Sequence, residues 1–216
     1  MKKAAKFIRD NSLSIVLFSL FVVFLAAQSI SGYFFFNEQR ASHGFDEIDY
    51  VQFLSSGTFL NGIFSNWQAA ILQLASLIIF GVFLVQRGAT HSHKHLAPGP
   101  KGHQKKGRLG GEGSWLYRNS LFMAFLALFI ASFILHVFSG AAAFNDQRTL
   151  SHQPPLSVAA YFISAKFWFL TTETWQAEYL AIGLYMILSI YLRQKGSPES
   201  KPVDSSNEET GESQDE

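Results

Sequence analysis

Residues 13–36 read LSIVLFSLFVVFLAAQSISGYFFF, twenty-four residues without a charge and rich in Phe, Leu and Val. A helix needs about 20 mostly apolar residues to cross the hydrocarbon core of a bilayer, so this stretch is long enough to span it. A second run of the same kind, residues 121–144, holds one His. Two shorter runs, 67–85 and 175–192, each open on a Trp, which suits the membrane–water boundary. Each stops at a basic stretch, Gln86-Arg87-Gly88 and Arg193-Gln194-Lys195-Gly196, and no Pro interrupts any of the four. The fold class expected is an all-α membrane protein with four transmembrane helices.

Composition points the same way. Hydrophobic residues make up 48% of the 216 and charged residues 15%, against about 25% charged in a soluble domain. The absence of Cys excludes disulfides, thiolate metal sites, iron–sulfur clusters and covalent c-type haem. Lys2, Lys3, Lys6 and Arg9 ahead of the first run resemble a secretory signal. That run is longer than a signal core and has a copy at 121–144, so it reads as an uncleaved first span. Fourteen of the seventeen Lys and Arg fall in residues 1–12, 86–119 and 193–216. The positive-inside rule puts those three regions, and with them both termini, in the cytoplasm.

The chain repeats itself at a shift of 108 residues. Asn11-Ser12-Leu13 then falls on Asn119-Ser120-Leu121, and Ser31-Gly32 on Ser139-Gly140. Asn37-Glu38-Gln39-Arg40 falls on Asn145-Asp146-Gln147-Arg148, and Trp67-Gln68-Ala69 on Trp175-Gln176-Ala177. Apolar matches between two spans mean little; matched Asn, Gln, Arg and Trp carry the inference. His43 meets His152 only if the second copy has one extra residue.

Two spans per copy make a parallel repeat of two helical hairpins. Residues 1–87 form the first (spans 13–36 and 67–85), and 116–196 the second (spans 121–144 and 175–192). The Gly-, Pro-, Lys- and His-rich segment 88–115 reads as a flexible cytoplasmic linker, and the acidic tail 197–216 as disordered. Ser31-Gly32 and Ser139-Gly140 are small enough to let helices approach. In the outer connections, Ile48, Val51, Leu54 and Phe59, and then Val158, Tyr161, Phe162, Ala165 and Trp168-Phe169, recur at helical spacing. Each set predicts a short amphipathic helix at the outer surface.

With its doubled Asn-x-Gln and Trp-Gln-x-x-x-Leu blocks, the chain resembles, over roughly residues 8–202, a family of bacterial inner-membrane proteins catalogued as a domain of unknown function. The resemblance implies that location and the two-unit plan, and brings no activity with it. The family's second-span motif, Trp followed three residues later by Glu, stands here as Trp175 and Glu178. The first copy has Ala70 at the Glu position.

The outer polar cluster is the leading candidate site: Asn37, Glu38, Gln39, Arg40 and His43, with Asn145, Asp146, Gln147, Arg148 and His152. Its arginines suit bidentate binding of phosphate or carboxylate, and its acid–His pairs suit protons or a divalent metal. The plainer reading is that these residues cap the helix ends and tie each hairpin to its surface helix. Inside the spans stand Gln28, Gln73, His136 and Glu178. The first three read as interhelical hydrogen-bonding residues. Glu178 needs a partner at its depth, and Arg148 is the expected one. Trp67 and Trp175, beside Gln68 and Gln176, read as interface anchors. His91, His93 and His95, with His103 beyond, form a weak metal candidate on a linker that offers nothing to orient the rings.

Three function classes follow. A structural or regulatory bundle binding lipid or a membrane partner, with homo-oligomerisation open, explains the outer clusters. A small transporter or channel would use Glu178, His136, Arg40 and Arg148. A b-type haem protein would need facing His residues, and only His136 lies deep in a span. No nucleophile elbow, phosphate loop or zinc-binding His pair appears, so no enzyme activity and no cofactor are expected. The basic linker follows from the positive-inside rule, so nucleic-acid binding is not expected either.

Overall fold

The computed structural model describes residues 2–92 and 115–210, and every regular element among them is a helix. The elements are α1 (Lys2–Asp10), α2 (Ser12–Ser42), α3 (Tyr50–Leu54), α4 (Gly57–Phe83), α5 (Trp115–Arg118), α6 (Ser120–Leu150), α7 (Val158–Phe162) and α8 (Ala165–Tyr191). Three stretches are long and apolar enough to cross a membrane: α2, residues 50–83, and α6. Helix α8 has the 27 residues of α4. Its first half, however, holds Lys166, Glu173, Gln176 and Glu178, which dilute its apolar character.

The long helices overrun the expected spans at the ends next to the connections 43–56 and 151–164. Helices α2 and α6 continue six residues beyond Phe36 and Phe144, and α4 and α8 start ten residues before Trp67 and Trp175. Each connection does hold a short helix, α3 and α7, of only five residues. Phe59 and Trp168-Phe169, assigned to them by spacing, belong instead to α4 and α8. The break is set by hydroxyls: Ser56 Oγ accepts from Phe59 N at 3.2 Å, and Ser164 Oγ from Phe167 N at 3.2 Å. Each satisfies an orphan donor of the first turn and starts a new helix there. Helix α3 has its own capping box, Asp49 with Gln52.

The chain divides into two compact units, residues 1–63 with 138–161, and residues 64–137 with 162–216. Each unit takes segments from both halves of the sequence. In the first, the ring of Phe53 on α3 packs on Phe36 of α2 (5.7 Å), and Tyr161 on α7 packs on Phe144 of α6 (5.5 Å). A Cβ on Gly32 would meet the Phe53 ring at 2.9 Å, and one on Gly140 would meet the Tyr161 hydroxyl at 2.8 Å. Gly32 therefore admits an aromatic ring from α3, whereas Gly140 admits both the Tyr161 ring and Asn61 of α4, whose Oδ1 would stand 3.0 Å from that Cβ, in keeping with the expected helix–helix approach. Burial pushes the Tyr161 phenol above its ordinary pKa. The buried residues of α2, Ser29, Phe36 and Asn37, all lie in its C-terminal half. From Ser12 to Gln28 every residue except Leu25 is exposed, an apolar surface that lipid tails match.

In the second unit α4 and α8 run side by side in the same direction. Trp175 Nε1 donates to Gln68 Oε1 (2.8 Å), Gln73 Nε2 to the Glu178 carbonyl (3.3 Å), and Ser76 Oγ lies 2.6 Å from the Tyr179 hydroxyl. Helix α6 runs antiparallel to α8, with Phe133 against both Phe167 and Trp175.

Of the tail 197–216, expected to be disordered, residues 197–210 form a run of hydrogen-bonded turns, and 211–216 lie outside the described residues. Lys201, 2% exposed, donates to the carbonyls of Ser206 (3.2 Å), Asn207 (3.4 Å) and Glu209 (3.1 Å). Arg193 donates to Ser205 O and Asn207 Oδ1. Charge-rich composition argues for disorder only while the charges face water, and here two cations organise the backbone. Burial, with Arg193 nearby, lowers the Lys201 pKa, and Glu209 opposes that.

Candidate functional site

The outer polar cluster is built twice from the same parts. Asn37 donates from Nδ2 to the Ile48 carbonyl (3.0 Å) and accepts from the Ile48 amide at Oδ1 (3.0 Å). Asn145 makes the same pair of bonds with Leu156, at 2.9 and 2.8 Å. Each Asn thus imitates a paired strand, holding the returning loop against the end of its helix. Three residues on, Arg40 Nε donates to the Asp46 carbonyl (2.7 Å) and Arg148 Nε to the Pro154 carbonyl (2.6 Å). The Arg40 guanidinium lies over Phe45 and that of Arg148 over Phe144, each 5.7 Å from the ring centroid. A cation in the last helical turn also suits the negative end of the helix dipole.

The loops turn at corresponding positions. After α2 the chain turns through Gly44 (φ 78°), and after α6 through His152 (φ 54°). The Phe45 amide then bonds the Arg40 carbonyl, as the Gln153 amide bonds that of Arg148. His152 therefore corresponds to Gly44, and the pairing of His43 with His152 through an inserted residue is corrected. Residue identity suggested that pairing, but the backbone follows the unbroken shift. A side chain in the left-handed region costs roughly 1 kcal/mol. His152→Gly should therefore raise the unfolding midpoint slightly, by about 2–4 °C per kcal/mol relieved, in a thermal-shift measurement. A lower midpoint would mean that the imidazole contributes more than its backbone costs.

Other members of the cluster divide by exposure. Glu38, His43 and Gln147 are exposed, and Gln39 and Asp146 half-buried. The Gln39 carbonyl accepts from Ser42 Oγ (2.8 Å) and lies 2.8 Å from His43 Nδ1. Asp146 is hydrogen-bonded by the Thr58 side chain and feels the Arg40 charge. His152 meets Phe45 at 6.0 Å between ring centroids, which puts the two loops side by side. The cluster is thus brought together, mainly through hydrogen bonds to backbone.

His136, 1% exposed, stacks on Phe167 (5.2 Å) and has Nε2 3.1 Å from Thr171 Oγ1. Gln28 Nε2 stands 2.9 Å from where a Cβ on Gly62 would lie, and Gln73 bonds α8. Glu178 is half-buried and belongs to none of the ion pairs among the described residues, which are Arg9–Asp10, Arg87–Glu208 and His91–Glu199. The expected Arg148 pair is not among them; Arg148 is committed through Nε to its own loop. Gln68 is fully buried and receives the Trp175 indole N–H, so these two act as an interhelical pair beyond any anchoring role. Trp67 and Gln176 are exposed. His91 bonds Glu199 at 2.8 Å, while His93, His95 and His103 lie outside the described residues. Among the described residues no group of three His, Cys, Asp or Glu is placed to hold a metal.

Sequence reasoning missed Thr58, Thr171, the Ser29–Tyr50 bond (2.7 Å) and the Ser76–Tyr179 bond. Hydroxyls in apolar helices were the available signal. A family model described as "Domain of unknown function (DUF6766)" matches residues 4–212. No curated protein and no solved structure matches the chain.

Proposed function

For a chain that belongs to the DUF6766 family, a domain of unknown function, we propose a structural or regulatory membrane bundle that binds lipid or a membrane partner at its outer polar face. Four spans cross a bacterial inner membrane, α8 being the fourth, and both termini are cytoplasmic. The bundle consists of two parallel hairpin copies. The observation that carries this reading is the doubled Asn–Arg clamp. The same three hydrogen bonds recur 108 residues apart, and each clamp holds a polar loop just beyond the apolar part of its helix.

A native sequence without Cys makes the topology directly testable. Ser42→Cys and Ser151→Cys should react with a membrane-impermeant maleimide in intact cells, and Ser197→Cys only after permeabilisation. Labelling of Ser42→Cys and Ser151→Cys from opposite sides would remove the parallel-copy arrangement. For the binding role, phospholipid phosphorus should stay with the purified protein through detergent exchange and fall in Arg40→Ala/Arg148→Ala. A parent protein that strips clean argues against lipid at this face.

Transport is the less supported reading. His136 and Gln68 are engaged by Thr171, Phe167 and Trp175 within the helix packing, as packing residues would be. The carboxylate of Glu178 makes no ion pair among the described residues.

A further inference from the structure

Resting on the outer-face reading, we propose that the ligand of this face is a zwitterionic aminophospholipid headgroup, its phosphate held by Arg148 and its ammonium by Asp46 and Glu47. The first observation is how much of the arginine is already engaged. Arg148 commits Nε to the Pro154 carbonyl and its flat face to Phe144. Its two terminal nitrogens make no hydrogen bond or ion pair among the described residues. A guanidinium held this way presents a fixed two-pronged donor edge, the geometry that phosphate oxygens accept.

Depth is the second element. Arg148 lies four residues beyond Phe144, the last residue of the apolar run. At about 1.5 Å of rise per residue this is about 6 Å. The headgroup layer on each side of a bilayer is about 5–7 Å thick. The donor edge therefore falls at the level of the lipid phosphates.

The third element is the charge difference between the two loops. Residues 152–157, around Arg148, contain no acid, whereas the first loop carries Asp46, Glu47 and Asp49. Asp49 is used to cap α3. The side chains of Asp46 and Glu47 are exposed and make no hydrogen bond or ion pair among the described residues. Arg40, the counterpart of Arg148, sits in the field of Asp146 and against the acidic loop, so it attracts an anion less. The Phe45–His152 contact sets the acidic loop beside the basic one. One donor edge next to free carboxylates matches a ligand with a phosphate and an amine, and disfavours a headgroup with net negative charge.

The test is native mass spectrometry of the full chain with equal amounts of phosphatidylethanolamine and phosphatidylglycerol of identical acyl chains. Retained phosphatidylethanolamine should exceed phosphatidylglycerol by about fivefold, the return on one exposed charge pair. Arg148→Gln should lose both lipids. Asp46→Asn with Glu47→Gln should reverse the preference towards phosphatidylglycerol, and this variant decides the matter if Arg148→Gln does not fold. Equal or reversed retention by the parent, or an unchanged ratio in the acid variant, overturns the proposal. So does thermal protection by inorganic phosphate equal to that by intact lipid, which would make the ligand a free anion. A parent that retains no lipid at all sinks the outer-face lipid reading too; one that retains lipid without preference sinks only this inference.

Discussion

Gly57→Val should give the largest loss of stability of any single change considered, about 3 kcal/mol or more. A Cβ at Gly57 would collide with the Ala143 backbone nitrogen and lie 2.5 Å from the Ala142 Cβ. Neither atom is the end of a flexible side chain, so relief requires the start of α4 or the end of α6 to move. Movement there disturbs a packed region, because Ala141 and Ala143 are buried and Gly140 already abuts Tyr161. For a chain of this size the loss corresponds to a midpoint lower by roughly 6–12 °C, read by thermal shift in detergent. Gly57→Ala tests the same contact, since its Cβ alone makes the collision. Gly81→Ala, where a Cβ meets nothing within 4 Å, is the control and should be neutral or slightly stabilising through helix propensity. A normal midpoint for Gly57→Val would show that the α4–α6 approach is looser than described.

Asn37→Ala should be the next largest effect. Asn37 is 5% exposed and supplies both an acceptor and a donor to Ile48. Truncation leaves the Ile48 amide and carbonyl without those bonds, at about 1–3 kcal/mol for each buried group left unsatisfied. A total near 3 kcal/mol is expected, lowering the midpoint by about 6–12 °C. Asn145→Ala removes the same two bonds from a half-buried site. Water can replace part of what is lost there, so roughly half the effect is expected. Asn37→Asp separates the two bonds: the carboxylate still accepts from the Ile48 amide but now faces the Ile48 carbonyl without a proton to donate. It should therefore destabilise even though one bond survives. Equal midpoints for Asn37→Ala and the parent would remove the clamp from the account of stability.

These two expectations also show where sequence reading works and where it stops. Asn37 and Asn145 stood out because polar residues recurred in register beside apolar runs that could match by chance. Their task as ties was one of the readings the sequence offered; their partners, Ile48 and Leu156, were not legible, since they lie eleven residues on and are reached through backbone groups that every sequence has. Gly57 carried no signal at all. Its reason is Ala142 and Ala143, brought to it only by packing. The surface helices were found by apolar spacing but drawn too long, because hydroxyl caps at Ser56 and Ser164 set the break. The ordered turns at 197–210 were missed for a related reason. Composition counts charges but cannot tell that Lys201 points inward at three carbonyls.

The contact of Gly57 with Ala142 and Ala143 also imposes an order on synthesis. About 85 further residues must leave the ribosome before the start of α4 can meet its neighbour, which takes roughly 4–17 s at about 5–20 residues per second. Throughout that interval the small-residue notch at Gly57 is vacant. A membrane chaperone or insertase that shields such a notch has a window of seconds in which to act. A nascent chain halted before residue 142 should be a preferred target for intramembrane quality control.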